Sequence, residues 1–459
     1  MFEGDLSNGT RFRLFPQAPF LHPDRQPETV SIAGPPGTIG PGPSDNRLFV
    51  IAPLGKANPY GVAPGPAGTP YLSLPPWRGP IRNPAYPSAD GHFDQTPVDA
   101  PEFAQAHLFG AIRFVLQIWE SYLGGRIDWH FARHFERLEA LVFPSLDNAR
   151  AGYGYMEAGA HPNDDGTVAE YALNFDVIAH EIGHLIIYSL LGVPRGEAEQ
   201  EDYFGFQEAA ADITAMIASL HFRTMSEQLL EDTHGNLYTF NELNRFAELS
   251  TNSQIRVASN SVKLSRFAAG WDDEHDLSEP LTGALFDTLV DIFQEKLVER
   301  GAISRMIADL SDEVREHPEY EPFIQAAFDK AYAMEKDVFR QALAETRDYL
   351  GVALAETWKG LSGQFLSYND VARVLLAVDG ALSGGRYRQE ILESFDWREI
   401  GRVRVGPRLR PPDESSHAKS VRTLLPEVQN QLPKMTFYER ALLAGLKTQP
   451  AIYEGDRHA

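Results

Sequence analysis

Residues 174–191 read NFDVIAHEIGHLIIYSLL, a long apolar run that is interrupted only by a few polar side chains. Asn174 is a favoured residue at a helix N-cap, so the run predicts a buried α-helix that begins directly after it. Side chains four residues apart share one face of a helix, so His180 and His184 can each give a nitrogen to one tetrahedral zinc ion. Glu181 then lies beside them, where hydrolysis needs a general base.

A chance occurrence of this HExxH pattern is the alternative to a metal site. Burying two imidazoles and a carboxylate in an apolar helix without a common partner costs several kcal/mol. A zinc ion and the water beside it would satisfy all three groups. The apolar surroundings therefore favour the metal site over a coincidence of spacing.

A second apolar helix is predicted for residues 205–222, GFQEAAADITAMIASLHF. A hydrolytic zinc site needs a third protein ligand, and Glu208 is the strongest candidate in the chain. Asp212 follows four residues later on the same face and could accept a hydrogen bond from a ligand imidazole. The alternative is a solvated helix face, which the surrounding alanine, isoleucine and phenylalanine residues disfavour.

Composition limits what else the chain can do. It has no cysteine, so thiolate zinc sites, disulfides and cysteine nucleophiles are excluded. A formal net charge of -23 disfavours nucleic acid as a partner, because phosphate backbones are bound by clustered Lys and Arg. The sequence shows neither a secretory signal nor an apolar run long enough for a membrane span, so a cytoplasmic protein with no membrane partner is the default expectation.

Four regions follow from the distribution of proline, glycine and helical periodicity. Residues 1–95 are rich in Pro and Gly and are expected to form an N-terminal arm of loops and short strands packed on the body. Residues 96–190 should form an α/β lobe with an edge strand and the HExxH helix, and its first long helix should end near Gly124. Residues 191–403 should form a helical lobe, and residues 404–459 a C-terminal tail.

An HExxH helix followed by a helix with an ExxxD pair, here Glu208 and Asp212, resembles the thermolysin-like gluzincin metallopeptidases. The resemblance implies an α+β, two-lobed zincin fold with one zinc ion per chain in the cleft between the lobes. It implies an endopeptidase that acts on peptide or protein substrates. Upstream, the segment DNARAGYGYMEAG is similar to that family's edge strand, so Asn148 and Ala149 are expected to contact substrate backbone.

Further roles follow from the same resemblance. The segment DDEHDLSEPLTG is similar to the one that carries the family's transition-state histidine, which assigns that role to His275, oriented by Asp272 or Asp273. Tyr203 is the candidate for the tyrosine that assists the oxyanion. Asp176 matches one calcium ligand of the family, but Ser219 stands where a further acidic ligand belongs, so calcium is not expected.

Two alternatives to an endopeptidase remain open at this point. Tyr155, Met156 and Glu157 resemble the motif with which gluzincin aminopeptidases bind a free amino terminus, and Glu157 would be the anchor. Those enzymes lack an aspartate four residues after the glutamate ligand, and Asp212 is present here. The other alternative is a non-catalytic zinc protein that only binds peptides, which the intact Glu181 disfavours.

Overall fold

The computed structural model describes residues 9–64, 70–163, 166–194, 200–239, 245–246 and 256–409. In these ranges the chain forms the mixed α+β fold that the sequence predicted. Most of the predicted C-terminal tail, from residue 410 onward, lies outside the described residues. No helix in the described ranges combines the length and the apolar character needed to cross a membrane.

In the described ranges short strands predominate up to residue 170 and helices predominate after it. The strands are β1 (Thr10–Leu14), β2 (Glu28–Ile32), β3 (Leu48–Ile51), β4 (Gly61–Pro64), β5 (Pro70–Ser73), β6 (Leu138–Val142), β7 (Ala149–Gly152), β8 (Tyr155–Ala158), β9 (Ala160–Pro162), β10 (Val168–Glu170), β11 (Arg245–Phe246) and β12 (Arg256–Val257). The helices are α1 (Phe103–Leu123), α2 (Phe175–Leu191), α3 (Glu201–Ser219), α4 (Arg223–Thr233), α5 (Glu274–Glu299), α6 (Arg305–Asp312), α7 (Glu321–Gly360), α8 (Tyr368–Ser383) and α9 (Arg388–Trp397).

A four-stranded sheet with the order β3-β6-β8-β7 contains the edge strand predicted from the sequence. The first three strands are parallel, whereas β7 is antiparallel to β8 and lies at the edge. Strand β3 comes from the Pro- and Gly-rich arm and pairs with β6 through partners such as Leu48 and Leu138. The arm is thus tied to the body by backbone hydrogen bonds, and it packs further against α1 through β1 and β2.

Helix α1 forms the centre of the core. Its apolar side chains Leu108, Ile112, Val115 and Trp119 recur every three to four residues, and all are fully buried. It ends at Gly124, whose left-handed conformation, with φ of 67°, stops the helix where the sequence predicted. The helix packs against β3 and β6 of the sheet and against α2 and α7.

Helices α2 and α3 pack closely, and this contact builds the site described below. Asn174 caps α2 as predicted, because its side chain accepts a hydrogen bond of 3.3 Å from the Val177 amide. Gly183 lies where the two helices cross, and a Cβ there would lie 2.8 Å from the Cα of Ala211. Glycine is therefore required at this point of close approach.

A buried ion pair joins α9 to α5. The Arg398 guanidinium is fully buried, and its Nη2 donates to Asp287 Oδ2 at 2.8 Å, while Nη1 donates to Asn260 Oδ1 at 2.8 Å. Gly283 makes room for this group, since a Cβ there would lie 2.2 Å from Arg398 Cζ. The last described helix is thus fixed to the middle of the helical part of the chain.

Candidate metal centre

Three donor atoms from α2 and α3 converge on one point. His180 Nε2 lies 3.1 Å from His184 Nε2, and these nitrogens lie 3.4 and 3.6 Å from Glu208 Oε2. All three residues are buried. The helical spacing of the histidines and the close crossing at Gly183 place the donors together, so the structure assembles the ligand set predicted from sequence.

The dimensions of this triangle fit a bound metal ion. Zinc–ligand bonds of about 2.0–2.1 Å at tetrahedral angles place neighbouring donors about 3.3–3.4 Å apart. The observed edges of 3.1, 3.4 and 3.6 Å scatter around that separation. Donor atoms of His180, Glu181 and His184 also lie within 4.8 Å of one another, so this group could hold a metal ion. We refer to these three residues with Glu208 as the metal centre.

Asp212 lies beside one of the two imidazoles. Its Oδ1 lies 3.0 Å from His180 Nδ1, while the Nε2 of that ring lies near the other donors. The Thr282 hydroxyl on α5 donates to Asp212 Oδ2 at 3.4 Å, so the carboxylate is held in turn by a third helix. Asp212 is buried, and a solvated helix face is therefore excluded for this pair.

Glu181 reaches the edge strand. Its Oε2 accepts a hydrogen bond of 2.6 Å from the Ala151 amide of β7. The Asn148 carbonyl accepts from the Gly159 amide on the β8 side, so the backbone groups of Ala149 and Ala151 point the opposite way, out of the sheet edge. The structure thus brings the predicted base and the predicted substrate-binding strand together.

His275 lies next to the metal centre. It is the second residue of α5, and its Nδ1 lies 3.0 Å from Glu208 Oε2, while about a third of its side chain is exposed. Asp273, one of the two predicted orienting carboxylates, acts through the backbone, because its Oδ1 accepts from the His275 amide at 2.8 Å as the helix N-cap. This N-cap fixes the start of α5 and therefore the position of the His275 imidazole.

The structure places Tyr203 in the first turns of α3. The residue is fully buried, and its hydroxyl donates to the Gly192 carbonyl at 3.3 Å. Gly192 follows α2, so this bond joins the ends of the two helices that carry the candidate ligands. The bond gives Tyr203 a structural role here, and its part in stabilising an oxyanion stays a prediction.

The residue that resembles a calcium ligand is bonded to another side chain. Asp176 lies in the first turn of α2, and its Oδ1 accepts a hydrogen bond of 2.8 Å from the Ser219 hydroxyl at the end of α3. The Ser219 hydroxyl therefore joins α2 and α3 at the position where the thermolysin-like gluzincins would carry an acidic residue.

Glu157 occupies a different environment from the one that the aminopeptidase alternative needs. Its carboxylate is fully buried, and it lies 3.1 Å from Lys56 Nζ and 3.1 Å from Arg150 Nε. The Tyr60 amide donates to both of its oxygens. A substrate amino group would have to displace a lysine of the same chain to reach this carboxylate.

Sequence reasoning missed the side chains that support His184. The Tyr188 ring stacks on the His184 ring at a centroid distance of 6.3 Å, and its hydroxyl donates to Gln207 Oε1 at 2.5 Å. The four-residue spacing on α2 could have indicated this contact. His130 packs against Tyr188 at 5.4 Å, and burial lowers the pKa of His130 to about 3, so this ring is neutral near pH 7.

No protein-family model matches this chain, and a search of curated proteins also finds no match. The site is therefore interpreted from its own geometry and from the motifs that build it.

Proposed function

We propose that this chain is a zinc-dependent endopeptidase of the thermolysin-like gluzincin type. The observation that carries the proposal is the meeting of His180 Nε2, His184 Nε2 and Glu208 Oε2 within 3.1–3.6 Å of one another, beside a glutamate that contacts an edge strand. Two imidazoles and a carboxylate are the ligand set of hydrolytic zinc sites. The proposed two-lobed arrangement would place the substrate across this centre.

Each residue then has a role that its contacts support. A bound zinc ion would act as a Lewis acid toward a peptide carbonyl and toward water. Glu181 takes a proton from the attacking water and passes it to the leaving amine. His275 lies next to Glu208, so its imidazole can donate a hydrogen bond to the substrate oxygen that develops negative charge beside the metal centre. Asn148 and Ala149 bind substrate backbone by strand addition at β7.

Zinc content and one substitution test the proposal. Purified protein should contain one zinc ion per chain, and the Glu181→Gln variant should keep the metal while losing at least about a thousandfold in kcat/KM. Glu321→Gln, at an exposed position at the start of α7, is the matched control and should cut like the wild type. Near-normal turnover in Glu181→Gln would remove this residue as the base.

The position of the cut separates an endopeptidase from an aminopeptidase. A peptide acetylated at its amino end and the same peptide with a free amine should be cut internally at similar rates, because β7 can pair with backbone on both sides of the metal centre. An apolar pocket beside the centre would favour cuts on the amino side of Leu, Phe or Ile. Stepwise release of single residues from the free amine alone would contradict the endopeptidase.

A further inference from the structure

Strand β7 is short and, within the described part of the chain, pairs with β8 alone, yet the proposed reaction needs its backbone in one register. Edge strands are easily displaced, and a slip by one residue would turn the amides of Ala149 and Ala151 away from the substrate side. Such a slip would also break the bond between the Ala151 amide and Glu181. What fixes the register of these four residues is therefore part of how the site works.

The register is marked by a cross-strand ion pair. Arg150 on β7 stands directly opposite Glu157 on β8, and its Nε lies 3.1 Å from Glu157 Oε2. The same guanidinium donates to the Tyr60 carbonyl and to the Tyr155 hydroxyl. Because side chains alternate along a strand, Arg150 lies on the face opposite to Ala149, which packs on Val177 of α2.

Behind Glu157 lies a compartment that holds the ammonium group of Lys56, and we call it the ammonium cage. Lys56 Nζ lies 3.1 Å from Glu157 Oε1 and donates to the Asn58 carbonyl at 2.5 Å. Aromatic rings surround it, with centroids 4.0 Å away for Tyr60, 4.8 Å for Phe143 and 5.9 Å for Trp77. Cation–π contacts of this kind recognise ammonium groups.

The centre of the cage is closed to solvent. Lys56, Tyr60 and Glu157 are each at most 5% exposed. A second buried carboxylate, Glu139, accepts from the Tyr60 hydroxyl and from the Trp77 amide, both at 2.9 Å. Burial lowers the pKa of Lys56, and the neighbouring Glu157 carboxylate opposes this effect. Each member is thus held by two or more others.

We propose that Lys56 and Glu157 are positioning residues that set the register of β7 for substrate. The N-terminal arm provides Lys56, which holds Glu157; Glu157 holds Arg150, and Arg150 fixes the strand whose backbone meets the substrate and Glu181. This inference rests on the proposed peptidase function only for its catalytic consequence. The fixed register itself is a property of the chain with or without activity.

The test compares Lys56→Met with the wild type in the zinc-loaded protein. Loss of register should lower kcat/KM at least about tenfold, mainly through a higher KM, because the backbone contacts of β7 with substrate are lost while the metal ligands stay in place. Amide hydrogen exchange at residues 149–152 should become faster in the variant. Lys330→Met, at an exposed position of α7, is the matched control.

Several outcomes would overturn the proposal. Unchanged KM and unchanged exchange at residues 149–152 in Lys56→Met would show that the cage does not set the register. If Lys56→Met does not fold, the double variant Lys56→Met, Glu157→Gln removes the buried carboxylate that has lost its lysine. The KM of the double variant should still be raised. A normal KM would show that the cage has only a structural role. A wild type that cuts no peptide would contradict the proposed function, whereas the exchange experiment would still decide the register.

Discussion

The metal centre and the ammonium cage are both buried clusters of ionisable groups near β7, but they balance their charge differently. In the cage, the carboxylate of Glu157 faces Lys56 and Arg150, so the counter-charges belong to the chain. In the metal centre, the partners of Glu208 include the imidazoles of His180 and His184, which are neutral when they act as ligands. The comparison teaches that a buried carboxylate facing convergent imidazole nitrogens leaves a place that a metal ion could fill, whereas one facing Lys and Arg completes a structural network.

Removing metal should give the largest difference in stability between the two clusters. With zinc at about a thousand times its Kd, a chelator should lower the free energy of unfolding by about 4 kcal/mol, because the ion binds the folded chain. Thermal or urea unfolding with and without chelator measures this change. The variant His180→Ala, His184→Ala should not respond to the chelator, and a response as large as that of the wild type would place the metal elsewhere.

Breaking the cage should have a somewhat smaller effect that no metal can reverse. Lys56→Met leaves Glu157 buried with Arg150 alone, and we expect a loss of about 3 kcal/mol in the free energy of unfolding. In the double variant Lys56→Met, Glu157→Gln, part of this loss should be recovered, since the buried Glu157 carboxylate is removed together with its ammonium partner, while Arg150 loses the carboxylate that faces it. Urea unfolding of the wild type, Lys56→Met, Glu157→Gln and the double variant measures these changes in the free energy of unfolding. Equal losses in Lys56→Met and in the double variant would contradict the ion-pair account.

A further test uses His107, a buried imidazole that belongs neither to the metal centre nor to the ammonium cage. His107 is fully buried, its Nδ1 lies 2.8 Å from the Ala172 carbonyl, and its Nε2 accepts from the Phe15 amide at 2.9 Å. Burial lowers its pKa from 6.5 to about 4, so as the pH falls below 6.5 the unfolded chain takes up the proton first. Stability is therefore lost as the pH falls toward 4.

We expect this loss to reach about 2 kcal/mol between pH 6.5 and about pH 5, since each pKa unit corresponds to about 1.4 kcal/mol. The His107→Gln variant should show a flatter pH dependence over the same window. Urea unfolding at several pH values measures both proteins. Parallel curves for the two proteins would show that another group titrates.

The smallest expected effect concerns the helix crossing that builds the metal centre. Gly183→Ala adds a methyl group 2.8 Å from the Ala211 Cα, so α2 and α3 must move apart, at a cost of about 1–2 kcal/mol. The donors then spread, and zinc affinity should fall. Gly380→Ala in α8 is the matched control, because a Cβ there meets nothing within 4 Å. Equal zinc affinity in both variants would show that the crossing distance does not set the ligand geometry.

Local pattern was enough to predict the parts of the molecule that depend on neighbouring residues. The helical spacing of His180 and His184 and the capping preference of Asn174 predicted α2, and the Gly-rich aromatic segment predicted the edge strand. The order of the two motif helices, together with the family resemblance, also pointed to Glu208. For His180 and His184 the four-residue spacing was sufficient, because it puts both side chains on one face of a helix.

Pairings between distant segments could not be predicted in this way. Lys56 and Glu157 lie about a hundred residues apart, and nothing in either local sequence indicates that they meet. The pairing of β3 with β6 likewise depends on how α1 folds back onto the sheet. The local motif of Tyr155, Met156 and Glu157 makes Glu157 a candidate anchor for a substrate amine, whereas in the structure its carboxylate faces the ammonium group of Lys56 from the same chain.

The buried pair of Arg398 and Asp287 determines how the C-terminal part of the chain can be shortened or cut. A chain that stops before residue 398 keeps Asp287 in the core but removes the guanidinium that faces it, which is costly for a buried carboxylate. A protease that cleaves at Gly384, in the exposed turn between α8 and α9, would leave the following piece attached through this ion pair and through Asn260. We therefore expect a nicked protein to elute as one particle under native conditions and to separate into two pieces only in denaturant.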